Sequence, residues 1–301
     1  MPFRLPTTLL ALALLAGCAT TPRQPVAAAP AAPAAPTAQT APAAVAANDN
    51  LNAVAWSQTA IEHDLIYLQT YRDAQARLLA ALHDRPWDAL GKGDRTTPLK
   101  GLKPAVILDI DETVLDNSPF AARMVQGNHE YNEADWAAWC REESARALPG
   151  AVGFTRFAAK HGIAVIYISN RAKDLDQATL ANLRKAGLPV GGPQSFLGLG
   201  TVVDGCEQAG SEKGCRRQLV AQHHRVLMQF GDQIGDFVDV LANTADGRRK
   251  AVADYLPWIG TRWFVLPNPT YGSWEPALFG NDWSTSPEQR RQKKIEALRT
   301  H

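Results

Sequence analysis

The segment AVILDIDETVLDNSPF, residues 105–120, sets three acidic residues directly behind an apolar run: Asp109, Asp111 and Glu112 follow Ala105, Val106, Ile107 and Leu108. A short, continuous aliphatic run reads as a buried strand. The carboxylates then stand at its desolvated end, where like charges oppose ionisation. A hard divalent cation resolves that repulsion, and Mg²⁺ typically takes a few carboxylates, several waters and a phosphate. The spacing also suits a two-part reaction. Asp109 can attack phosphorus as a nucleophile. Asp111, in a chain curling out of the strand, can protonate the leaving oxygen and then activate water.

Residues able to complete such a site recur behind other apolar runs. IAVIYISN ends at Ser169 and Asn170, with Arg171 next. RVLMQFGD ends at Gly231 and Asp232, with Asp236 four residues further on. Between the two runs, Lys213 opens a helical segment. The Ser169 hydroxyl, the Lys213 ammonium and Mg²⁺ together would neutralise the charge on a transferring phosphoryl group.

Gathering these residues takes a sheet. PAVILDID, IAVIYISN, RVLMQFGD and RWFVLPN are strand candidates. PGAVGFTRFAAKHG, DLDQATLANLRKAG and SEKGCRRQLVAQHH are the helices between them, the second with Asp174 as N-cap and Gly187 at its end. Continuous apolar strands alternating with helices predict an α/β fold, a parallel sheet sandwiched by helices. Ligands in such sheets bind at the carboxyl ends of the strands. Upstream, Leu51 to Leu82 carries apolar residues at helical spacing and predicts one long or two shorter amphipathic helices. The stretch HDRPWDALGKGD, with a proline and two glycines, ends them.

The N-terminus, MPFRLPTTLLALALLAGC, has one cation, Arg4, and an apolar stretch from Leu9 to Ala16. That stretch falls short of the ~20 apolar residues of a membrane span and reads as an export signal. Its end, Leu15-Ala16-Gly17-Cys18, resembles the lipobox of bacterial lipoproteins, whose cysteine becomes the lipid-modified first residue. An ordinary signal peptide cut a little later is the alternative. The expected organisation is a leader over 1–17, an Ala/Pro-rich tether over 18–48 and a folded domain over 49–301. A net charge of +1 gives no bulk electrostatic case for a nucleic-acid polymer or an anionic membrane.

In order, DIDETVLDNSPF, YISNR, Lys213 and GDQIGDF resemble the four motifs of the haloacid dehalogenase superfamily. More narrowly, the chain resembles the class C bacterial acid phosphatases, the outer-membrane lipoprotein 5′-nucleotidases. LNAVAWSQTAIEHDLIY, DWAAWCREESARALPGAV and LPNPTYGSWE extend the likeness from about Leu51 to the C-terminal region. The resemblance implies a Rossmann-like parallel sheet with a smaller helical part over the site, here about 49–100 and 117–148. It implies Asp109 as nucleophile and Asp111 as acid and base. Mg²⁺ would be held by the Asp109 carboxylate, the Asp111 carbonyl and Asp232, with Asp236 holding a metal-bound water. Ser169, Asn170, Arg171 and Lys213 would meet the phosphate. Trp136 and Tyr271 match positions that stack on a nucleobase or nicotinamide ring, with Trp139 close by. The implied substrates are phosphate monoesters, nucleotides above all; the implied location is the outer membrane through Cys18. A non-acidic Ala19 agrees with that sorting. Relatives suggest an acid-side pH optimum and a homodimer. The competing reading is a surface binding lipoprotein, for nucleotide or haem, that keeps the fold without turnover.

Other residues admit plainer roles. Cys206 and Cys215 lie in the turn-rich DGCEQAGSEKGC, where a loop-stapling disulfide is preferred over a zinc site with His223 and His224. Cys140 reads as a buried free thiol. Trp139, three residues from Trp136, suits helix core as well as a ligand. DIDET lacks the glycine turn of a calcium loop. His129 reads as a surface histidine, and RRQKK at 290–294 as a solvated helix face.

Overall fold

The computed structural model describes residues 47–301, so Cys18, the expected leader and residues 18–46 lie outside the described part. Five strands pair in parallel: β1 (Lys103–Leu108), β4 (Ala164–Ala172), β5 (Phe196–Leu199), β6 (His224–Gly231) and β7 (Trp263–Val265), in spatial order β5-β4-β1-β6-β7. Composition does not announce β5: it is four residues long with Gly198 inside it, and glycine weakens a strand signal. A second, two-stranded pairing joins β2 (Leu115–Asp116) to β3 (Arg146–Ala147).

Because side chains alternate along a strand, β1 feeds both faces of the sheet. Val106 and Leu108 join a core with Tyr67, Tyr71, Ala74 and Leu78 of α2 (Ile61–His83) and Phe154 of α5 (Ala151–Lys160). Ala105 and Ile107 join the opposite core, with Val220 and Ala221 of α7 (Gly214–His223) and with Tyr255 and Trp263. Burial on both faces is why these strands read as continuous apolar runs.

Of the expected one long or two shorter helices the structure shows two, α1 (Leu51–Thr59) and α2, parted at Ala60. α2, within the segment expected to be accessory, packs on the sheet beside α5. α3 (Ser118–Gly127) and α4 (Glu133–Glu142) follow the β1 loop. Asp174 does not cap the helix after β4. Residues Lys173–Leu175 form a 3-10 turn, and α6 (Asp176–Lys185) starts behind it without a side-chain cap. α8 (Ala245–Val252) and α9 (Pro287–Glu296) complete the order. Among the described residues no helix is long and apolar enough to cross a membrane.

Candidate active site

Asp109 follows β1 and is still tied to the sheet, its N–H donating to the Phe230 carbonyl of β6 at 2.9 Å. The chain then turns around the Ile110 carbonyl, which accepts from the N–H groups of Thr113, Val114 and Leu115. Glu112 takes a left-handed backbone, φ 53°. Two tyrosines one turn apart on α2 hold this loop from below. The Tyr67 hydroxyl donates to the Glu112 carbonyl at 2.5 Å and the Tyr71 hydroxyl to the Thr113 carbonyl at 2.8 Å. Sequence reasoning missed both. Buried tyrosine hydroxyls at i and i+4 on a core-facing stripe are the signal, since such groups need partners.

Across the sheet, pairing of β4 with β5 jumps from Ile168 to Ala172, so Ser169, Asn170 and Arg171 leave the ladder at the strand's end. The Ser169 hydroxyl donates to Asp111 Oδ2 at 3.1 Å. Arg171 meets Asp111 Oδ1 through Nε at 2.9 Å and Nη2 at 2.8 Å. Asn117 Nδ2 adds a further bond at 2.8 Å. Asp111 is therefore fixed from three sides. Arg171 is 1% exposed, so it reaches the site through Asp111 rather than from solvent. Asn170 is exposed at the rim.

The third wall comes from β6 and α7. Gly231 ends β6 where a Cβ would lie 2.1 Å from Asp236 Oδ2, so only glycine permits that approach. Gln233 N–H donates to Asp236 Oδ2 at 2.9 Å, and Asp232 Oδ2 accepts from Gln233 Nε2 and Asn268 Nδ2, each at 2.8 Å. Lys213, the residue before α7, spans the gap: Nζ is 2.5 Å from Asp109 Oδ1 and 2.6 Å from Asp236 Oδ1.

Burial raises Asp109 well above the carboxylate range; Lys213 opposes the rise, while Asp236, Asp232 and Asp111 add to it. Burial, then Asp236, pushes Asp232 up to about 7. Glu112 is raised well above its usual value by burial and by Asp111. Burial works against the charge on Lys213, yet Asp109 and Asp236 more than offset it and its pKa is raised. Carboxylate oxygens of Asp109, Asp232 and Asp236 lie within 4.8 Å of one another. The donor set is all hard oxygen, already in mutual repulsion, and fits a cation such as Mg²⁺.

The two aromatic candidates reach the site by different neighbours. The Arg171 guanidinium lies over the Trp136 ring at 5.4 Å, and Phe120 meets that ring edge-on at 5.2 Å. The Tyr271 hydroxyl donates to Glu112 Oε2, while 40% of the residue stays exposed. Trp139 is buried and its Nε1–H donates to Asn117 Oδ1 at 2.7 Å, so it supports the residue that bonds Asp111. Cys206 and Cys215 form a disulfide, which leaves no thiolate there for zinc with His223 and His224. Cys140 is a free thiol pushed up to about 12 by burial. His129 is exposed and hydrogen-bonds the Glu130 carbonyl.

A parallel sheet whose strand ends gather carboxylates around one buried lysine gives an acidic site on an α/β frame. Two structures of the class C acid phosphatase from Bacillus anthracis, one with tungstate bound, resemble the chain with TM-scores of 0.72 and 0.71 at 33% identity, over 84% of this chain and 97% of theirs. Subfamily IIIB of the haloacid dehalogenase superfamily, the acid phosphatases, matches residues 27–274, and the chain belongs to that family. Among curated proteins, a stem 31 kDa glycoprotein of Glycine max is 30% identical over 166 residues, 55% of this chain. The match spans 58% of that protein, little more than half its length.

Proposed function

We propose that the protein is a Mg²⁺-dependent phosphomonoesterase that hydrolyses nucleoside 5′-monophosphates and similar esters through an aspartyl-phosphate. The observation that carries this reading is Lys213 bridging Asp109 and Asp236, with Asp111 locked two residues from Asp109. An Asp109 oxygen attacks phosphorus as the ester bond breaks, and Asp111 gives its proton to the leaving oxygen. Asp111 then takes a proton from water, whose oxygen attacks phosphorus and frees Asp109 and inorganic phosphate. Lys213 and the Ser169 hydroxyl face the charge that develops. Asp109, Asp232, Asp236 and the Asp111 carbonyl would hold Mg²⁺, which supplies further charge neutralisation. Arg171 keeps Asp111 aimed. That the Bacillus anthracis relative was solved with tungstate, a phosphate-like oxyanion, supports the same chemistry.

Hydrolysis of p-nitrophenyl phosphate with and without EDTA tests the reading, with Asp109→Asn as the folded but inactive control. Metal-independent hydrolysis, or turnover by that variant at the wild-type rate, would overturn it. Anchoring through Cys18 belongs to the same proposal. Cys18→Ser should move the protein from the membrane fraction to the soluble one, since a lipidated cysteine with several acyl chains binds membranes firmly. Pelleting of the Ser variant with membranes would defeat the anchor.

A further inference from the structure

α7 carries two adjacent buried arginines whose surroundings differ in kind. Arg217 is matched by two carboxylates, Asp94 at 2.5 Å and Asp239 at 2.7 Å. It also donates to the carbonyls of Gly235 at 3.0 Å and Asp236 at 3.3 Å. Arg216, with 0% exposure, hydrogen-bonds no carboxylate. Its Nη1 donates to the Ser169 carbonyl at 2.6 Å. Its Nη2 reaches Asn170 Oδ1 at 2.8 Å, the Glu212 carbonyl at 3.1 Å and the Ser211 carbonyl at 3.2 Å. Its Nε is buried without a partner. Burying a guanidinium among neutral oxygens costs solvation that dipoles only partly restore. Burial accordingly pulls its pKa down to about 10. A fold that needed only packing here would be served as well by an apolar side chain.

The four oxygens explain the choice. Two belong to the end of β4, at Ser169 and Asn170; two belong to the turn that delivers Lys213. One planar fork thus joins the two segments that present the phosphate-binding groups, and those segments have no ladder between them. Lysine has a single nitrogen on a flexible stem and cannot span the same acceptors in fixed geometry. The Cys206–Cys215 disulfide closes the same turn immediately before Arg216.

We propose that Arg216 is a positioning residue of the phosphate site, holding Ser169 and Asn170 in register with Lys213. The inference rests on the phosphatase reading but has its own readout, the affinity for inorganic phosphate. Arg216→Lys and Arg216→Gln are compared with wild type by calorimetry of phosphate binding with Mg²⁺, by thermal melting, and by kcat and KM on a small monoester. Folded variants should bind phosphate ~10–100-fold more weakly, the usual loss when a residue supporting a site is removed. KM should rise more than kcat falls, and Lys should do no better than Gln. Wild-type phosphate affinity in either folded variant overturns the proposal.

Asn170→Ala, at an exposed position that does not threaten folding, keeps the test open should both Arg216 variants unfold. It should by itself weaken phosphate binding, and where Arg216→Lys folds the double variant should lose less than the two single losses combined, because the two residues share one contact. Unchanged affinity in Asn170→Ala, or full additivity, overturns the proposal. Wild type that binds phosphate without turnover would defeat the phosphatase reading while the Arg216 comparison still stands or falls on affinity. Absence of phosphate binding by the wild type would defeat both.

Discussion

Lys213 Nζ lies 2.5 Å from Asp109 Oδ1, a contact between buried residues 104 apart in sequence. The lysine belongs to the turn before α7 and the aspartate to the end of β1, so the pair forms only when the parallel sheet has closed. The lysine opposes, without cancelling, the burial that raises Asp109, and the pair is costly to disturb.

Lys213→Met should therefore fail in two separable ways. Loss of a charged donor aimed at the transferring group should lower kcat by ~10²–10³-fold, the scale for a transition-state donor. Removing one partner of a buried pair leaves Asp109 and Asp236 facing each other, a loss of ~3–5 kcal/mol where nothing else compensates. A divalent cation does compensate for the second effect but not fully for the first. Melting temperatures with EDTA and with Mg²⁺ separate them: the variant should melt well below wild type in EDTA, and Mg²⁺ should narrow the gap. A variant as stable as wild type in EDTA would mean that the pair contributes nothing to the fold.

The same carboxylates make stability depend on pH in an unusual direction. Asp232 is raised to about 7 from an ordinary 3.8, by burial and then Asp236, and Asp109 is raised as well. Between those values the native metal-free protein holds protons that the unfolded chain has released. Where the unfolded state binds fewer protons, stability falls as pH rises. Lys213 leaves that window untouched. Its pKa is raised, so its contribution is complete below the ordinary lysine value and disappears only at alkaline pH. The melting temperature in EDTA should thus fall from about pH 4 to about pH 7. Excess Mg²⁺ should reverse the slope, because it binds the deprotonated carboxylates of the native state. A metal-free melting temperature that rises across the window would show that the cluster is not in repulsion.

The strand-end residues were legible because polar groups behind buried runs break a pattern: Asp109, Ser169 and Asp232 each follow such a run, and the structure sets all three toward the carboxyl ends of the inner strands β1, β4 and β6. The supports were not. Trp139 suits helix core by spacing, and Tyr67 and Tyr71 lie on the buried stripe of α2; the two tyrosines also spend their hydroxyls on the loop behind Asp111, and Trp139 its N–H on Asn117. Arg216 and Arg217 are adjacent cationic residues on a helix, and both are buried. Contacts from a side chain to a distant carbonyl have no sequence period, so nothing local announces them. β5 escaped for a different reason, its brevity and its glycine. Asp174 looked like a cap because it precedes a helix, but a 3-10 turn intervenes.

The aromatic pair yields the sharpest claim about substrate. Trp136 has one face toward the guanidinium of Arg171, which itself holds Asp111, and Tyr271 is tied by its hydroxyl to Glu112. A ring held this way can stack on a flat leaving group while the phosphate lies at Asp109. Stacking is worth about 1–3 kcal/mol per base, roughly 5- to 140-fold in affinity. Trp136→Ala and Tyr271→Ala should each raise KM for nucleoside 5′-monophosphates by more than KM for a small aliphatic phosphate. Discrimination among the bases should stay weak, since every base offers a π-face. Tyr271→Phe separates the ring from its hydroxyl. It frees Glu112 but keeps the stacking surface, so the ratio of the two KM values should remain at its wild-type level even where kcat changes. Steady-state kinetics on the two substrate types decide the matter. An equal rise of both KM values in the Ala variants would reduce the rings to packing and leave a phosphatase with no preference for nucleotides.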